Sequence, residues 1–296
     1  MNLKALLEGR GVLVLDGAMG TELDRRGCAG RCDSNLDSPR AVREVHAAYA
    51  QAGSTAMITN TLTASRLFIE SHGLNVDPEA INRVGARLAR AVVGSAGCVL
   101  GNLSSTGQLL EPYGTCSEQA LIATFEEQAR YLAEEGVDGF IIETIIDLQE
   151  AICALRACKA ISSLPTIACM AFSTTANGGR TPMGNSAEDC ARRLTEEGAD
   201  ALGANCGTIS PEEMAEIIAT MSSFTRLPLA AEPNAGKPRL LQGKTVFDMA
   251  PDPFAAGVLK CRDAGATLLG GCCGTTPEHI HALSQKVTVE GRASNG

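Results

Sequence analysis

Eight short runs along the chain are almost wholly apolar, and between them the apolar positions recur at helical spacing. The runs are VLVLDG from Val12, AMITNT from Ala56, CVLGNL from Cys98, GFIIET from Gly139, TIACMAF from Thr166, ALGANCG from Ala201, PLAAEPNAG from Pro228 and TLLGGCCG from Thr267. None alternates apolar and polar residues, as a strand with one wet face would. Continuous apolar runs of this length fit parallel strands covered on both faces. The segments between them predict amphipathic helices; examples are SPRAVREVHAAYAQAG from Ser38, PEAINRVGARLARAVVG from Pro78 and EQALIATFEEQARYLAEEG from Glu118. DLQEAICALRACKAIS from Asp147, SAEDCARRLTEEGAD from Ser186 and SPEEMAEIIATMSS from Ser210 read the same way. Several open on a Ser or Asp cap with acids in the first turn, and several stop at Gly.

Eight strand–helix units in 296 residues predict the α/β class and a single (β/α)8 TIM barrel filling residues 1–296. No compositional break marks a second domain. The alternative is an open doubly wound sheet. That fold usually has fewer units, and no GxGxxG follows the first strand.

Composition narrows the picture. Aromatics are only 3% and Trp is absent, so Ala, Leu, Ile and Val must build the core. A net charge of −9 argues against nucleic acid and anionic membrane as partners. The start, MNLKALLEGRG, carries charges where a signal peptide needs an apolar core, and no run reaches the ~18 apolar residues of a membrane span. A cytoplasmic protein is expected. Its 12 cysteines are then expected to be mostly reduced thiols. Cys98, Cys153, Cys158, Cys169, Cys190 and Cys261 sit in or near apolar runs and read as small hydrophobes. Cys28 and Cys32, in CAGRC, could form a metal or redox pair, but no second half lies nearby.

In a barrel of this kind the active site lies at the C-terminal strand ends. There the sequence places Asp16, Asn60 and Thr61, Asn102, Glu143, Asn205 and Cys206, Glu232 and Asn234, and Cys272 and Cys273. Cys206 ends the sixth strand, and Cys272 and Cys273 end the eighth. Strands two apart bring their ends close enough to share one ion. Three thiolates in a reducing compartment suit tetrahedral zinc, and three protein ligands leave one position open for substrate. Gly270, Gly271 and Gly274 would let the backbone fold around the ion. The alternatives are three packed thiols or a Cys206–Cys272 disulfide.

A zinc ion with three thiolates is a weak Lewis acid, poorly suited to hydrolysis. A thiol bound as its fourth ligand would still lose its proton and stay nucleophilic, which suits alkyl transfer to sulfur. Asp16 and Glu143 could hold an ammonium, and the backbone amides of DGAMGT, Asp16 to Thr21, a carboxylate. Alternatively, Asp16 is a cap and Glu143 half of a buried ion pair.

VLDGAMGTEL, NTLTAS, ETIIDLQEA, GANCG, PNAG and GGCCGTTPEHI together resemble the homocysteine S-methyltransferase family. The pattern is most similar to the homocysteine-binding module of cobalamin-dependent methionine synthase, from about Leu13 to Ile280. The resemblance implies a (β/α)8 barrel, homocysteine as acceptor and Cys206, Cys272 and Cys273 as zinc ligands. It implies Asn234 as a displaceable fourth ligand and Asp16 and Glu143 as binders of the substrate amine. It also implies backbone contacts to the carboxylate near Gly17, Ala18, Met19 and Thr61.

The family's donors include methylcobalamin, S-methylmethionine, S-adenosylmethionine and betaine. A betaine user would offer aromatics to the quaternary ammonium, and these are scarce here. The resemblance therefore favours methylcobalamin, supplied by a partner corrinoid protein or module. The chain lacks a D-x-H-x-x-G segment for binding a corrinoid itself. The alternatives are a homocysteine methyltransferase using S-methylmethionine or S-adenosylmethionine, or a corrinoid-system methyltransferase or demethylase subunit with another thiol or methylated substrate. PNAGKPRLLQG from Pro233 reads as a solvated rim loop rather than a phosphate site, and His279 and His281 as surface or capping residues.

Overall fold

The computed structural model describes residues 3–9 and 11–293, with side chains as far as 288. The expected limits of the barrel unit, residues 1 and 296, lie outside the described residues. Seven strands come first: β1 (Leu13–Val14), β2 (Ala56–Ile58), β3 (Cys98–Ser104), β4 (Gly139–Ile145), β5 (Thr166–Met170), β6 (Ala201–Asn205) and β7 (Leu229–Glu232). Two short strands, β8 (Arg239–Leu241) and β9 (Lys244–Val246), then precede β10 (Ala266–Leu269). The parallel order is β1-β10-β7-β6-β5-β4-β3-β2. A parallel bridge between Leu15 and Ala56 joins the two ends, with the Thr55 N–H donating to Val14 O at 2.9 Å. The strands thus form a (β/α)8 barrel, and the open-sheet alternative falls away.

The apolar runs are explained by the two cores they serve. Leu13, Leu15, Leu100, Ile141, Ile167, Cys169, Ala230 and Leu268 face one another inside the barrel. Their strand neighbours, among them Val14, Val99, Phe140, Ile142, Ala168 and Leu202, pack outward under the helices. Nearly every position of the eight barrel strands is therefore dry, and the alternation of side chains is hidden in the sequence. The helix Leu3–Glu8 plugs the barrel at the N-terminal ends of the strands, with Leu3 and Leu7 joined to the inner cluster. A Cβ on Gly139 would meet Leu3 Cδ2 at 2.4 Å, so glycine makes room for that plug.

The predicted helices form, most with side-chain caps, although Ser38, ahead of Pro39–Gln51, makes no side-chain cap bond. Asp77, Ser117, Asp147, Ser186 and Ser210 each accept first-turn N–H groups with their side chains, and Ser210 forms a capping box with Glu213. Asp77 caps Pro78–Val93 and Ser210 caps Pro211–Ser222.

The structure departs from expectation in the loop after β7 and at Cys32. The loop after β7 is not plain loop: β8 and β9 form an exposed antiparallel hairpin in it. Two of its cations are partnered, Lys237 by Glu213 at 2.6 Å and Arg239 by Asp248. Of the two expected readings of His279, the capping one holds, and the residue is buried. Its Nδ1 meets Thr276 Oγ1 at 2.9 Å and its Nε2 meets Met249 O at 2.8 Å, while His281 is exposed. Cys32 is buried against Ala64 and Ile81, with its thiol 3.3 Å from Thr63 Oγ1. Cys28 and Cys32 form no metal-holding group among the described residues. Among those residues, no helix is long and apolar enough to cross a membrane.

Candidate active site

Where the strands end, the apolar runs give way to polar groups around a cleft of about 280 Å³. Asp16, Gly17, Ala18 and Met19 line it after β1, and Thr59 and Asn60 after β2. Asn102 comes from β3 and Glu143 from β4. Cys206 follows β6, and Cys272 and Cys273 follow β10.

The three sulfurs meet. All lie within 4.8 Å of one another, and Cys206 Sγ is 3.9 Å from Cys273 Sγ. A tetrahedral ion with Zn–S bonds near 2.3 Å needs sulfurs about 3.8 Å apart. Backbone bonds hold the sulfurs there. Cys206 N–H donates to Glu232 O at 3.1 Å, Cys272 N–H to Pro233 O at 2.9 Å, and Ala235 N–H to Cys273 O at 3.0 Å. Cys206 adopts φ +54°, a left-handed conformation that costs a non-glycine residue energy and is often met at functional sites. The next residue, Gly207, has φ +73°, and a Cβ there would lie 2.1 Å from Phe172 O.

Two amides serve this cluster. Asn205 Nδ2 lies 3.8 Å from Cys272 Sγ and also donates to Glu143 Oε2 at 3.1 Å. Asn234 donates through Nδ2 to Gly207 O at 2.9 Å, leaving its buried Oδ1 without a partner. A buried acceptor without a donor is costly unless something fills it. Three soft sulfurs, with an orphaned amide oxygen on the residue between Pro233 and Ala235, whose backbone groups bond Cys272 and Cys273, are a donor set that fits zinc. The thiols titrate together. S–H donation from Cys206 and Cys272 holds Cys273 down at about 3, while Cys272 is pushed up by its bonds to Cys206 and to Cys273 and by burial.

Two buried acids, Asp16 and Glu143, line the same cleft without an Arg or Lys partner among the described residues; the buried His46 Nδ1 lies 3.8 Å from Asp16 Oδ2, but burial pushes that imidazole down to about 4 and so keeps it uncharged at neutral pH. Glu143 accepts from Asn102 Nδ2 at 2.5 Å and from Asn205, and forms no ion pair with Arg or Lys among the described residues. Asp16 is no helix cap: its Oδ2 accepts from Ile58 N–H at 3.0 Å. Burial pushes Asp16 well up, with the Ile58 N–H opposing and the Glu143 charge adding. Burial likewise pushes Glu143 up to about 7, with the Asn102 N–H opposing and Cys273 adding. Among the residues lining the cleft, Arg31 is the cation, and it is paired with Asp33 at 2.7 Å. No aromatic residue lines the cleft among the described residues.

The remaining expected contacts fall out differently. Thr61 stands behind the wall, its N–H donating to Thr59 O and its hydroxyl to Asn102 O, both at 2.8 Å. The Ala18 N–H is taken by Thr275 Oγ1 at 3.0 Å. The Met19 N–H has no partner among the described residues. Sequence reasoning placed Asn102, Asn205 and Glu232 at strand ends but gave them no role. Polar residues interrupting buried runs were the signal. Tyr49 and Thr275 carried no such signal, since one lies within a helix and the other in a turn.

The homocysteine S-methyltransferase family model matches residues 13–287. The chain belongs to the homocysteine S-methyltransferase family. It is therefore a methyltransferase-family barrel, and its relatives fit that placement. Methionine synthase of Mycobacterium tuberculosis is 29% identical over 300 residues, covering 93% of this chain. That of Mycobacterium leprae is 28% identical, also over 93%. The chain spans 24% of the length of either relative. Among solved structures, the metallated form of the homocysteine methyltransferase MmuM from Escherichia coli matches with a TM-score of 0.79 and 26% identity. It covers 96% of this chain and 99% of that one. A methyltransferase from Methanosarcina mazei, 15% identical with a TM-score of 0.61, shares the fold.

Proposed function

We propose that this family member is one barrel unit over residues 1–296 that methylates the thiol of homocysteine, giving methionine, with zinc as its metal and a methyl-corrinoid as donor. The observation that carries the reading is the convergence of Cys206, Cys272 and Cys273 in one cleft with two buried acids that have no Arg or Lys partner among the described residues. An amino acid thiol presents the matching groups, sulfur at one end and ammonium at the other.

Cys206, Cys272 and Cys273 would hold the zinc, with Asn234 Oδ1 as the displaceable fourth donor; the ion supplies the charge that ionises an acceptor thiol. Asp16 and Glu143 receive the ammonium. Its arrival reverses the burial penalty that raises both acids, so binding favours their ionised forms. Asn102 and Asn205 fix the Glu143 carboxylate by one N–H to each oxygen. The Met19 N–H, without a partner among the described residues, would receive the substrate carboxylate. With both ends held, the sulfur is aimed along one line, and positioning replaces a bimolecular search. The sulfur lone pair then forms the S–CH3 bond as the bond from methyl to donor breaks, its electron pair staying with the donor. No general base acts in that step.

The relatives named methionine synthase and the lack of aromatic lining favour a corrinoid over an onium donor. The test is to incubate the zinc-loaded protein with homocysteine and, separately, methylcobalamin, S-methylmethionine or S-adenosylmethionine. Methionine forming with methylcobalamin is expected. Methionine from only the other two overturns the donor. No methionine from any donor, or methylation of other thiols alone, overturns the acceptor.

A further inference from the structure

The stretch Gly17–Met19 and the turn Cys272–Thr275 come from opposite ends of the chain, and one buried hydroxyl joins them. Thr275 Oγ1 accepts the Ala18 N–H at 3.0 Å and donates to Cys272 O at 2.8 Å. Its single proton is thereby used, and a lone pair as well. Tyr49 closes the other edge. Its hydroxyl lies 2.9 Å from Ala18 O and 3.2 Å from Thr275 O. The Ala18 residue is therefore gripped through both its N–H and its C=O. A third bond runs alongside, from Gly271 N–H to Asp16 O at 3.1 Å.

Packing leaves this junction no slack. A Cβ on Gly17 would lie 2.7 Å from Thr275 Oγ1 and 2.8 Å from the Tyr49 ring. A Cβ on Gly271 would lie 2.7 Å from Thr275 Cγ2. Both Thr275 and Tyr49 are fully buried. The residue carrying the Asp16 carboxylate and the residue carrying the Cys272 sulfur are thus parts of one hydrogen-bonded body, although 256 positions separate them (272 − 16).

We propose that Thr275 is a positioning residue that fixes the span from the Asp16 carboxylate to the thiol cluster, and so selects the acceptor by its number of methylenes. The proposal rests on reading the cleft as a site for an amino acid thiol. Homocysteine has two methylenes between its α-carbon and sulfur, and cysteine has one. A rigid span lets the longer thiol reach both ends while the shorter one must give up either its sulfur or its ammonium contact. A loosened span lets the two ends approach and admits the shorter thiol.

The test uses zinc-loaded wild type, Thr275→Val, Thr275→Ser and Tyr49→Phe. Homocysteine and cysteine binding are measured by calorimetry, and zinc retention by competition with a chelator. The wild type prefers homocysteine by about tenfold or more, the discrimination that one methylene supports. Thr275→Val keeps the shape and loses the hydroxyl. It narrows the preference by about fivefold or more and releases zinc more readily, since Ala18 N–H and Cys272 O lose their partner. Thr275→Ser restores most of the preference, and Tyr49→Phe narrows it to a smaller extent. A Val variant with wild-type preference, or a Ser variant as impaired as Val, overturns the proposal. Should the Val variant fail to fold, an unchanged preference in Tyr49→Phe overturns it alone. A wild type that binds neither thiol defeats the underlying reading of the cleft, a result distinct from a wild-type preference that the substitutions leave untouched.

Discussion

The sulfurs of Cys206 and Cys273 lie 3.9 Å apart across 67 residues of chain. Two strands, β6 and β10, flank β7 in the sheet, and each ends at the same rim. The separation is close to one edge of the tetrahedron that zinc thiolates form. Replacing Cys206 by Ser removes one corner. Loss of an outer-shell partner already costs ~10–100-fold in metal affinity, so loss of a ligand is expected to cost at least about 100-fold. Metal analysis after dialysis should find the variant depleted of zinc, with homocysteine methylation lost alongside. A Ser variant that keeps both would remove the basis for a metal centre here.

Cys206 stores strain as well as sulfur. At φ +54° an ordinary side chain pays ~1–2 kcal/mol that glycine does not. Once the ligand is gone, only the backbone preference remains. The metal-free Cys206→Gly protein is therefore expected to be more stable than metal-free Cys206→Ala by about 1 kcal/mol, after glycine's greater freedom in the unfolded chain is subtracted. Urea unfolding of the two variants decides it. An Ala variant that is the more stable would show the left-handed geometry to be relaxed at no cost.

Glu143 gives the site a pH dependence. Burial raises it from the ordinary 4.5 to about 7. Between these values the folded protein holds a proton that the unfolded chain has released, so this group makes stability fall as pH rises from about 4.5 to about 7. Ammonium binding runs the other way, because the carboxylate must be ionised. Methionine has no thiol proton to confuse the measurement. Its affinity is expected to increase as pH rises through about 7, and Glu143→Gln should flatten that rise and weaken binding. Calorimetry from about pH 5.5 to about pH 8.5 resolves the change, since each tenfold gain in affinity corresponds to ~1.4 kcal/mol. A rise that survives in the Gln variant would assign the titration elsewhere.

The plug at the far end of the barrel should matter for stability alone. Leu3 is 1% exposed and belongs to the inner cluster. Its truncation to Ala leaves a cavity and is expected to cost ~2–5 kcal/mol. The rim is built from the opposite strand ends, so kcat/KM of the folded variant should match wild type. Denaturant unfolding paired with steady-state kinetics checks both halves, and a large loss of kcat/KM would show that the two ends of the barrel are coupled.

Much of this was legible beforehand, and the exceptions have a common origin. Asp16, Glu143 and the three cysteines stand at the ends of apolar runs, where a barrel gathers its chemistry. Thr61 stands there too, yet it points its bonds back into the protein, to Thr59 and Asn102. Ala18 was expected to offer its N–H to a ligand, and Thr275 occupies it. Beyond the last strand residue the two-residue period no longer dictates direction, and each group's partner depends on whichever loop lies beside it. The hairpin β8–β9 went unread for a related reason. Its strands are three residues each and solvent-exposed, so no apolar pattern marks them.

The sequence by itself determined the eight barrel strands, their burial on both faces, the helices between them and the rim residues available for chemistry. These follow from local periodicity and from residue types that only certain backbone positions tolerate. Tertiary structure decided which of those residues meet: the sulfur spacing, the pairing of Glu143 with two amides and the occupied Ala18 N–H. Contacts between residues far apart in the chain depend on register and packing, which no local pattern encodes.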